Sequence, residues 1–321
     1  MYAALSEQFE HIHLYKISQG DLAFVAGQSP LEKNFQSPFK HKKLAEQLEH
    51  VNVLSGDDIA FRQLGNKAKL DIFFGPYTKN ANSDFFPILD VGAAKTRYKG
   101  SNANSVYQLH QSRSLDLLSN FEAYPVGNTT ADSYINETIY ANAVKQFHSR
   151  YQSLKNGLEP SLFSANKVDE SANRLSEIIN NCDSIDSKSE SKVATDNFIN
   201  LSIWAYPYST RENLTTVFND AERCKLKFTH AGKIWIDLHK GWLDKKLDTV
   251  KELSDKFLEI EEITNIKTNS HVLIMNMASR VALEDWQGYG KHVEKLGPGF
   301  SSDLELKSLI HLANRMSSIK P

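Results

Sequence analysis

The chain lacks several features that would assign it to a class of protein directly. No run of about 18 consecutive apolar residues occurs, so hydropathy predicts no membrane-spanning helix. Residues 1–7 have neither the basic start nor the apolar run of a signal peptide. The formal net charge of the 321 residues is −2, without the basic excess that is typical of nucleic-acid-binding domains. We therefore expect no nucleic-acid partner.

Cysteine is also scarce, since the chain contains only Cys182 and Cys224. Two cysteines far apart in polar helical surroundings indicate no disulfide framework and are typical of a reducing compartment. Together with the missing leader they predict a cytoplasmic location, which is compatible with a membrane-tethered neighbouring segment. The pair His11-x-His13 lies on one face of a predicted strand but has no third ligand at a suitable spacing, so we predict no metal site.

A glycine-rich phosphate-binding loop is missing as well. No Gly-x-Gly-x-x-Gly occurs, and the nearest sequences are Gly288-Tyr-Gly290 and Gly297-Pro-Gly299. Both lie in polar, helix-breaking surroundings rather than between a strand and a helix, which is typical of ordinary loops. The sequence therefore predicts no nucleotide-binding half and no bound cofactor in this chain.

The most informative segment that is present covers residues 10–31. Ile12, Leu14 and Ile17 predict one strand, and the continuous apolar run 22–26 predicts a second. The segment 18–21, Ser-Gln-Gly-Asp, supplies the turn of a β-hairpin. A continuous apolar strand usually lies inside a sheet that is covered on both faces. The sheet that should cover residues 22–26 is therefore expected later in the chain or on a partner, or it is missing.

Two segments resemble a known family. Residues 15–24 resemble the Tyr-Pro-x-Gly-x-Ile-Gly-Phe segment of the spermidine synthase (aminopropyltransferase) family, with Lys16 where the family often has proline. Residues 82–90, Asn-Ser-Asp-Phe-Phe-Pro-Ile-Leu-Asp, resemble the Asn-Thr-Asp-x-x-Pro-x-Leu-Glu motif of its long, fused members. The resemblance covers about residues 1–100.

This resemblance implies an α+β chain. Residues 1–100 would be the C-terminal remnant of a Rossmann-like, methyltransferase-type domain, and residues 101–321 a mostly α-helical domain. The implied chemistry is aminopropyl transfer from decarboxylated S-adenosylmethionine to a diamine. Because the donor-binding loop and the general base are missing, we expect no catalysis by this chain alone. The expected partners are the missing N-terminal half, another protein chain or further copies of this one.

The resemblance also suggests three residues for the polyamine side of a pocket. Tyr15 lies at the hairpin turn, where it either lines that pocket or packs in the core. Asp84 either accepts hydrogen bonds from a cationic amine or, together with Asn82, fixes an irregular loop. The loop-fixing interpretation is favoured for Asn82 and Asp84, because Asx residues commonly hold turns.

The remaining elements are predicted from local patterns. Lys42–His50 predicts a helix, Ser55 or Asp57 an N-cap, and Leu70–Phe74 a strand. Residues 184–192, rich in serine and charge, predict a solvated linker within the helical domain.

Short helices joined by Gly, Pro and Asn turns also suggest a helical-hairpin array, although no 34-residue period is found. This supports an alternative function, that of a stand-alone helical protein-interaction module with a small α/β platform.

Overall fold

The computed structural model of the protein describes residues 1–17, 21–31, 34–51, 53–77, 106, 109, 112–121, 136–157, 167–206, 209–260, 266–285, 288 and 304–318. The chain divides into two compact units. Unit 1 contains residues 1–138 and 296–321, and unit 2 contains residues 139–295. This division differs from the predicted boundary near residue 100, because the C-terminal helix belongs to unit 1.

The described part of the chain is α+β and mostly helical. Its strands are β1 (His11–Lys16), β2 (Leu22–Gly27) and β3 (Gln63–Asn66). Its α-helices are α1 (Tyr2–Gln8), α2 (Lys42–His50), α3 (Gly56–Phe61), α4 (Lys67–Phe74), α5 (Arg113–Ser119), α6 (Asn136–Lys155), α7 (Lys167–Asn180), α8 (Lys188–Ala205), α9 (Arg211–Glu222), α10 (His230–Leu243), α11 (Leu247–Leu258), α12 (Ile266–Ala282) and α13 (Leu304–Ser317). No described helix has the length and apolar character needed to cross a membrane.

The predicted hairpin is confirmed. β1 and β2 pair in antiparallel register from His11 opposite Gly27 to Lys16 opposite Leu22. Residues 18–20 of the predicted turn lie outside the described residues. β3 pairs with the other edge of β1, so the order of the antiparallel sheet is β2-β1-β3.

Within the described residues of this chain, residues 22–26 do not lie inside a sheet covered on both faces. β1 is the central strand, and its Ile12 and Leu14 are fully buried. β2 lies at the edge of the described sheet, and Val25 is 46% exposed. The difference arises because the short and weakly apolar segment Gln63–Asn66 pairs with β1 rather than with β2.

The predicted strand Leu70–Phe74 is also wrong, because these residues form part of α4. The Asn66 side chain accepts a hydrogen bond from the backbone N–H of Lys69, and this cap starts the helix. Leu70 and Phe73, three residues apart, are then buried on one helical face.

The two helix starts between the strands agree with prediction. α2 covers Lys42–His50 as expected. Ser55 is the N-cap of α3: its side chain accepts from the N–H of Asp58, whose carboxylate accepts from the N–H of Ser55. This reciprocal capping box selects Ser55 over Asp57.

The core of unit 2 is formed by helices that pack against their neighbours in the sequence, α9 on α10, α10 on α11 and α11 on α12. Trp235 of α10 is fully buried, and its indole N–H donates to the Ser202 hydroxyl of α8 at 2.9 Å. Tyr206 and Trp242 are also buried.

Much of the predicted linker at residues 184–192 is helical. Ser184 ends a short 3-10 helix, and α8 begins at Lys188. A capping box between Ser187 and Glu190 starts α8, so these exposed residues stabilise a helix end.

Candidate functional site

Tyr15 lies near the end of β1, on the face of the strand that also carries His13. Its hydroxyl is 3.3 Å from Nδ1 of His13, and its ring makes an edge-on contact with Phe35 at 6.4 Å between centroids. Burial raises the pKa of the phenol, so Tyr15 is a neutral hydrogen-bonding group. These contacts give it a packing role, and the substrate role stays a prediction.

Asn82 and Asp84, the other two predicted site residues, lie outside the described residues. Their loop-fixing and amine-binding interpretations therefore both stay predictions.

A buried ion pair in unit 1 was not predicted. The ammonium of Lys69, which is 1% exposed, lies 2.5 Å from Oδ1 of Asp116 and donates to the Leu109 carbonyl at 2.6 Å. The same nitrogen is 4.9 Å from the centre of the Phe121 ring. A second cation, the Arg113 guanidinium, lies 3.9 Å from Oδ2 of Asp116.

The electrostatics of this pair are set by burial. Loss of solvation lowers the pKa of Lys69 and is opposed by the Asp116 charge. Loss of solvation also raises the pKa of Asp116 and is opposed by Lys69 and Arg113. The pair ties α4 to α5, and we assign it a structural role. The signal in the sequence that could have revealed a buried charge is the position of Lys69 next to the apolar residues of α4.

The second unpredicted cluster lies in unit 2, where His239 of α10 and His271 of α12 form what we call the histidine pair. Their Nε2 atoms are 3.0 Å apart, and the rings are within 6° of parallel. Their ring centroids are 5.2 Å apart. This distance equals the Nε2–Nε2 distance plus about one ring radius on each side, as it does when the two rings lie end to end in one plane. The rings therefore meet head to head through an in-plane hydrogen bond.

Aromatic rings surround the histidine pair. Trp235 and Phe218 lie 4.2 and 4.6 Å from His239, and Tyr206 lies 4.8 Å from His271, between ring centroids. His239 is 1% exposed and His271 is partly buried. Such surroundings solvate a charged imidazolium poorly.

The hydrogen bonds fix the positions of the protons. The Trp235 carbonyl lies 2.9 Å from Nδ1 of His239 and can only accept, so this nitrogen carries the proton. Nε2 of the neutral His239 ring is then an acceptor, and Nε2 of His271 donates to it. When both rings are neutral, His271 donates to His239 and His239 donates to the Trp235 carbonyl, so both hydrogen bonds are formed.

We expect the histidine pair to make the stability of unit 2 depend on pH. Burial lowers the pKa of His271 to about 4, and burial together with His271 lowers that of His239. The unfolded chain therefore binds more protons below the ordinary histidine pKa of about 6.5, and the free energy of unfolding falls as the pH falls from there toward 4. His271 alone should remove about 2 kcal/mol between pH 7.5 and pH 5.

Urea titrations followed by tryptophan fluorescence at pH 7.5 and pH 5 measure this effect, because all four tryptophans lie in unit 2. His271→Gln should flatten the pH dependence by about that amount. His230→Gln, at an exposed position on the same helix as His239, is the matched control and should leave it unchanged. A His271→Gln variant with the pH dependence of the original chain would contradict the assignment.

The expectation that Cys182 and Cys224 belong to no disulfide is wrong. The two residues are bonded to each other, 42 positions apart in the sequence, and both are fully buried. The bond joins the segment after α7 to the segment after α9. Sequence spacing gave no signal for it, because the packing of helices brings the two cysteines together.

An Asp-x-His sequence in α10 has an ordinary ion-pair partner. Asp237, which precedes His239 in an Asp-x-His pattern, pairs with Lys225 at 2.5 Å. Within the part of the chain that the structure describes, no group of three or more His, Cys, Asp and Glu residues is placed to hold a metal ion.

In comparisons with protein families, with curated proteins and with solved structures, the chain has no significant match.

Proposed function

We propose that this chain is the C-terminal portion of a spermidine synthase-like protein, related to polyamine aminopropyl transfer. In this proposal the β1–β2 hairpin completes a sheet whose other strands belong to the nucleotide-binding half. The observation that carries the proposal is the unpaired outer edge of β2 within the described sheet.

The hydrogen bonding of the hairpin identifies the groups on that edge. The N–H of Ile17 donates to the Asp21 carbonyl directly opposite, so 17 and 21 form a hydrogen-bonded pair. Such pairs alternate along an antiparallel ladder, and the N–H groups of Ala23 and Val25 therefore face β1. The N–H and C=O groups of Leu22, Phe24 and Ala26 point to the open edge, where they can accept another strand.

The side chains of β2 support the same proposal. Leu22, Ala23 and Phe24 are only partly buried, and Val25 is exposed. An apolar strand with an open edge is a template for pairing with further strands. The missing glycine-rich loop supports dependence on a nucleotide-binding half, because the charged tail of the aminopropyl donor requires such a backbone cradle.

An activity assay tests the proposal. We expect the chain alone to form no spermidine from decarboxylated S-adenosylmethionine and putrescine. Expressed in cis with the coding sequence that precedes Met1 in the genome, it should form product, and that sequence should encode a Gly-x-Gly-x-x-Gly loop. Product from the chain alone, or an upstream sequence without the loop, would overturn the proposal.

A variant of β2 tests the role of the open edge in the joined protein. Ala26→Pro removes an N–H that points to the open edge and should reduce product formation, because proline cannot donate to an added strand. Ala26→Thr keeps the N–H and favours extended backbone, and is the matched control.

The cytoplasmic location stays a prediction, and one observation weighs against it. The Cys182–Cys224 bond is typical of proteins in oxidising compartments, since cytosolic thiols are kept reduced.

The second candidate function, a helical protein-interaction module, is favoured by a groove of about 840 Å³ between α7 and α8. Apolar residues Ile178, Ile185 and Val193 line it, with Val193 60% exposed. An independent start signal upstream of Met1, with no synthase-like coding sequence, would favour this function over the first.

A further inference from the structure

Unit 1 contains a cleft of about 550 Å³ that plays no part in the proposed function. It lies between α1, α4 and α13, and the polar residues that line it include Tyr2, Lys67, Asp71, His311 and Arg315. The volume is within the range of small-molecule sites.

The acidic group of this cleft is already neutralised. Oδ1 of Asp71 accepts from the Tyr2 hydroxyl at 2.5 Å, and the Lys67 ammonium donates to both carboxylate oxygens at 3.2 and 3.0 Å. Asp71 therefore presents little free negative charge to a ligand, and the Lys67–Asp71 pair is neutral as a unit.

The basic groups of α13 are available. His311 and Arg315 are one helical turn apart and both line the cleft. Neither side chain has an ion pair or a hydrogen bond to another residue in the described part of the chain. The cleft thus carries an excess of one positive charge from Arg315, with the imidazole of His311 beside it.

Gly75, the residue that follows α4, leaves room for His311 in the cleft. A Cβ atom at this position would lie 3.0 Å from Cδ2 of His311 and 2.9 Å from the Asp71 carbonyl oxygen. Because any larger residue would push against the backbone and the imidazole, glycine keeps His311 against the wall of the cleft.

We propose that this cleft binds a small anion that carries a phosphate or carboxylate group. The guanidinium of Arg315 matches two oxygens of such a group, and His311 supplies a second donor from the adjacent turn. The charge excess disfavours a polyamine, which separates this site from the polyamine chemistry of the proposed function.

Amide chemical shifts and calorimetry of the full chain, titrated with inorganic phosphate and with citrate, test the site. We expect saturable binding with shifts on α4 and α13, and tighter binding of one anion identifies the group that the site prefers. Arg315→Gln should weaken binding at least about tenfold, the range for a charged hydrogen bond.

Lys307→Gln is the matched control, because it removes the same charge from an exposed position of α13 outside the cleft. It should change the affinity less than about twofold. Equal weakening by Arg315→Gln and Lys307→Gln would reveal unspecific charge attraction and overturn the proposal. Anion binding that does not saturate would also overturn it. So would spermidine that competes with the anion and shifts the amides of the same residues. None of these outcomes depends on aminopropyl transfer.

Discussion

Replacing Lys69 with alanine should lower the free energy of unfolding of unit 1 by about 3–5 kcal/mol. The substitution removes the nearest cation from the buried carboxylate of Asp116, leaving Arg113 at 3.9 Å, and removes the donor to the Leu109 carbonyl. Urea titration followed by hydrogen exchange of α4 amides measures the loss. Tryptophan fluorescence is unsuitable here, because no tryptophan lies in unit 1.

Lys67→Ala is the matched control for Lys69→Ala. Lys67 lies on the same helix and pairs with Asp71 at 3.0 Å, but both partners are partly exposed, at 26% and 42%. An exposed pair of this kind contributes about 0–1 kcal/mol. Equal losses for the two variants would contradict the assignment of Lys69 as the buried charge that organises α4 and α5. Lys69→Met combined with Asp116→Leu should recover most of the loss, because no fully buried charge is then left, and Arg113, which also faces Asp116, is 22% exposed.

Breaking the Cys182–Cys224 bond should lower the free energy of unfolding of unit 2 by about 4 kcal/mol, since the bond closes a long loop of the unfolded chain. Urea titration followed by tryptophan fluorescence, with and without dithiothreitol, measures the difference. The reductant should shift the midpoint of the original chain to lower urea.

A variant with alanine at both positions, Cys182→Ala and Cys224→Ala, is the control for effects of the reductant itself and should be insensitive to dithiothreitol. Two thiols that react with a thiol reagent in the unfolded, unreduced chain would contradict the presence of the bond.

The features that could be predicted from the sequence are the local ones. The hairpin, α2 and the Ser55 cap each depend on residues close together in the chain, and all three are confirmed. The start of α8 was also encoded locally, since Ser187 and Glu190 have the spacing of a capping box. Because residues 184–192 are rich in serine and charged residues, their composition predicts a linker, and the capping box within them goes unrecognised.

The features that could not be predicted depend on contacts between distant segments. The place of β2 at the edge of the sheet depends on β3, whose sequence Gln-Leu-Gly-Asn has a weak strand pattern. The histidine pair joins residues 32 positions apart, and the disulfide joins residues 42 positions apart. In each case the pattern within one element gives no information about its partner.

Residue-resolved hydrogen exchange measures directly whether the outer edge of β2 is open. In the chain alone, the amides of Leu22, Phe24 and Ala26 should exchange fast, while those of Ala23 and Val25, bonded to β1, should be protected. In the protein joined to a synthase-like nucleotide-binding half, all five amides should be protected. Protection of Leu22, Phe24 and Ala26 in the chain alone would show that the edge is already covered and would contradict the proposed function.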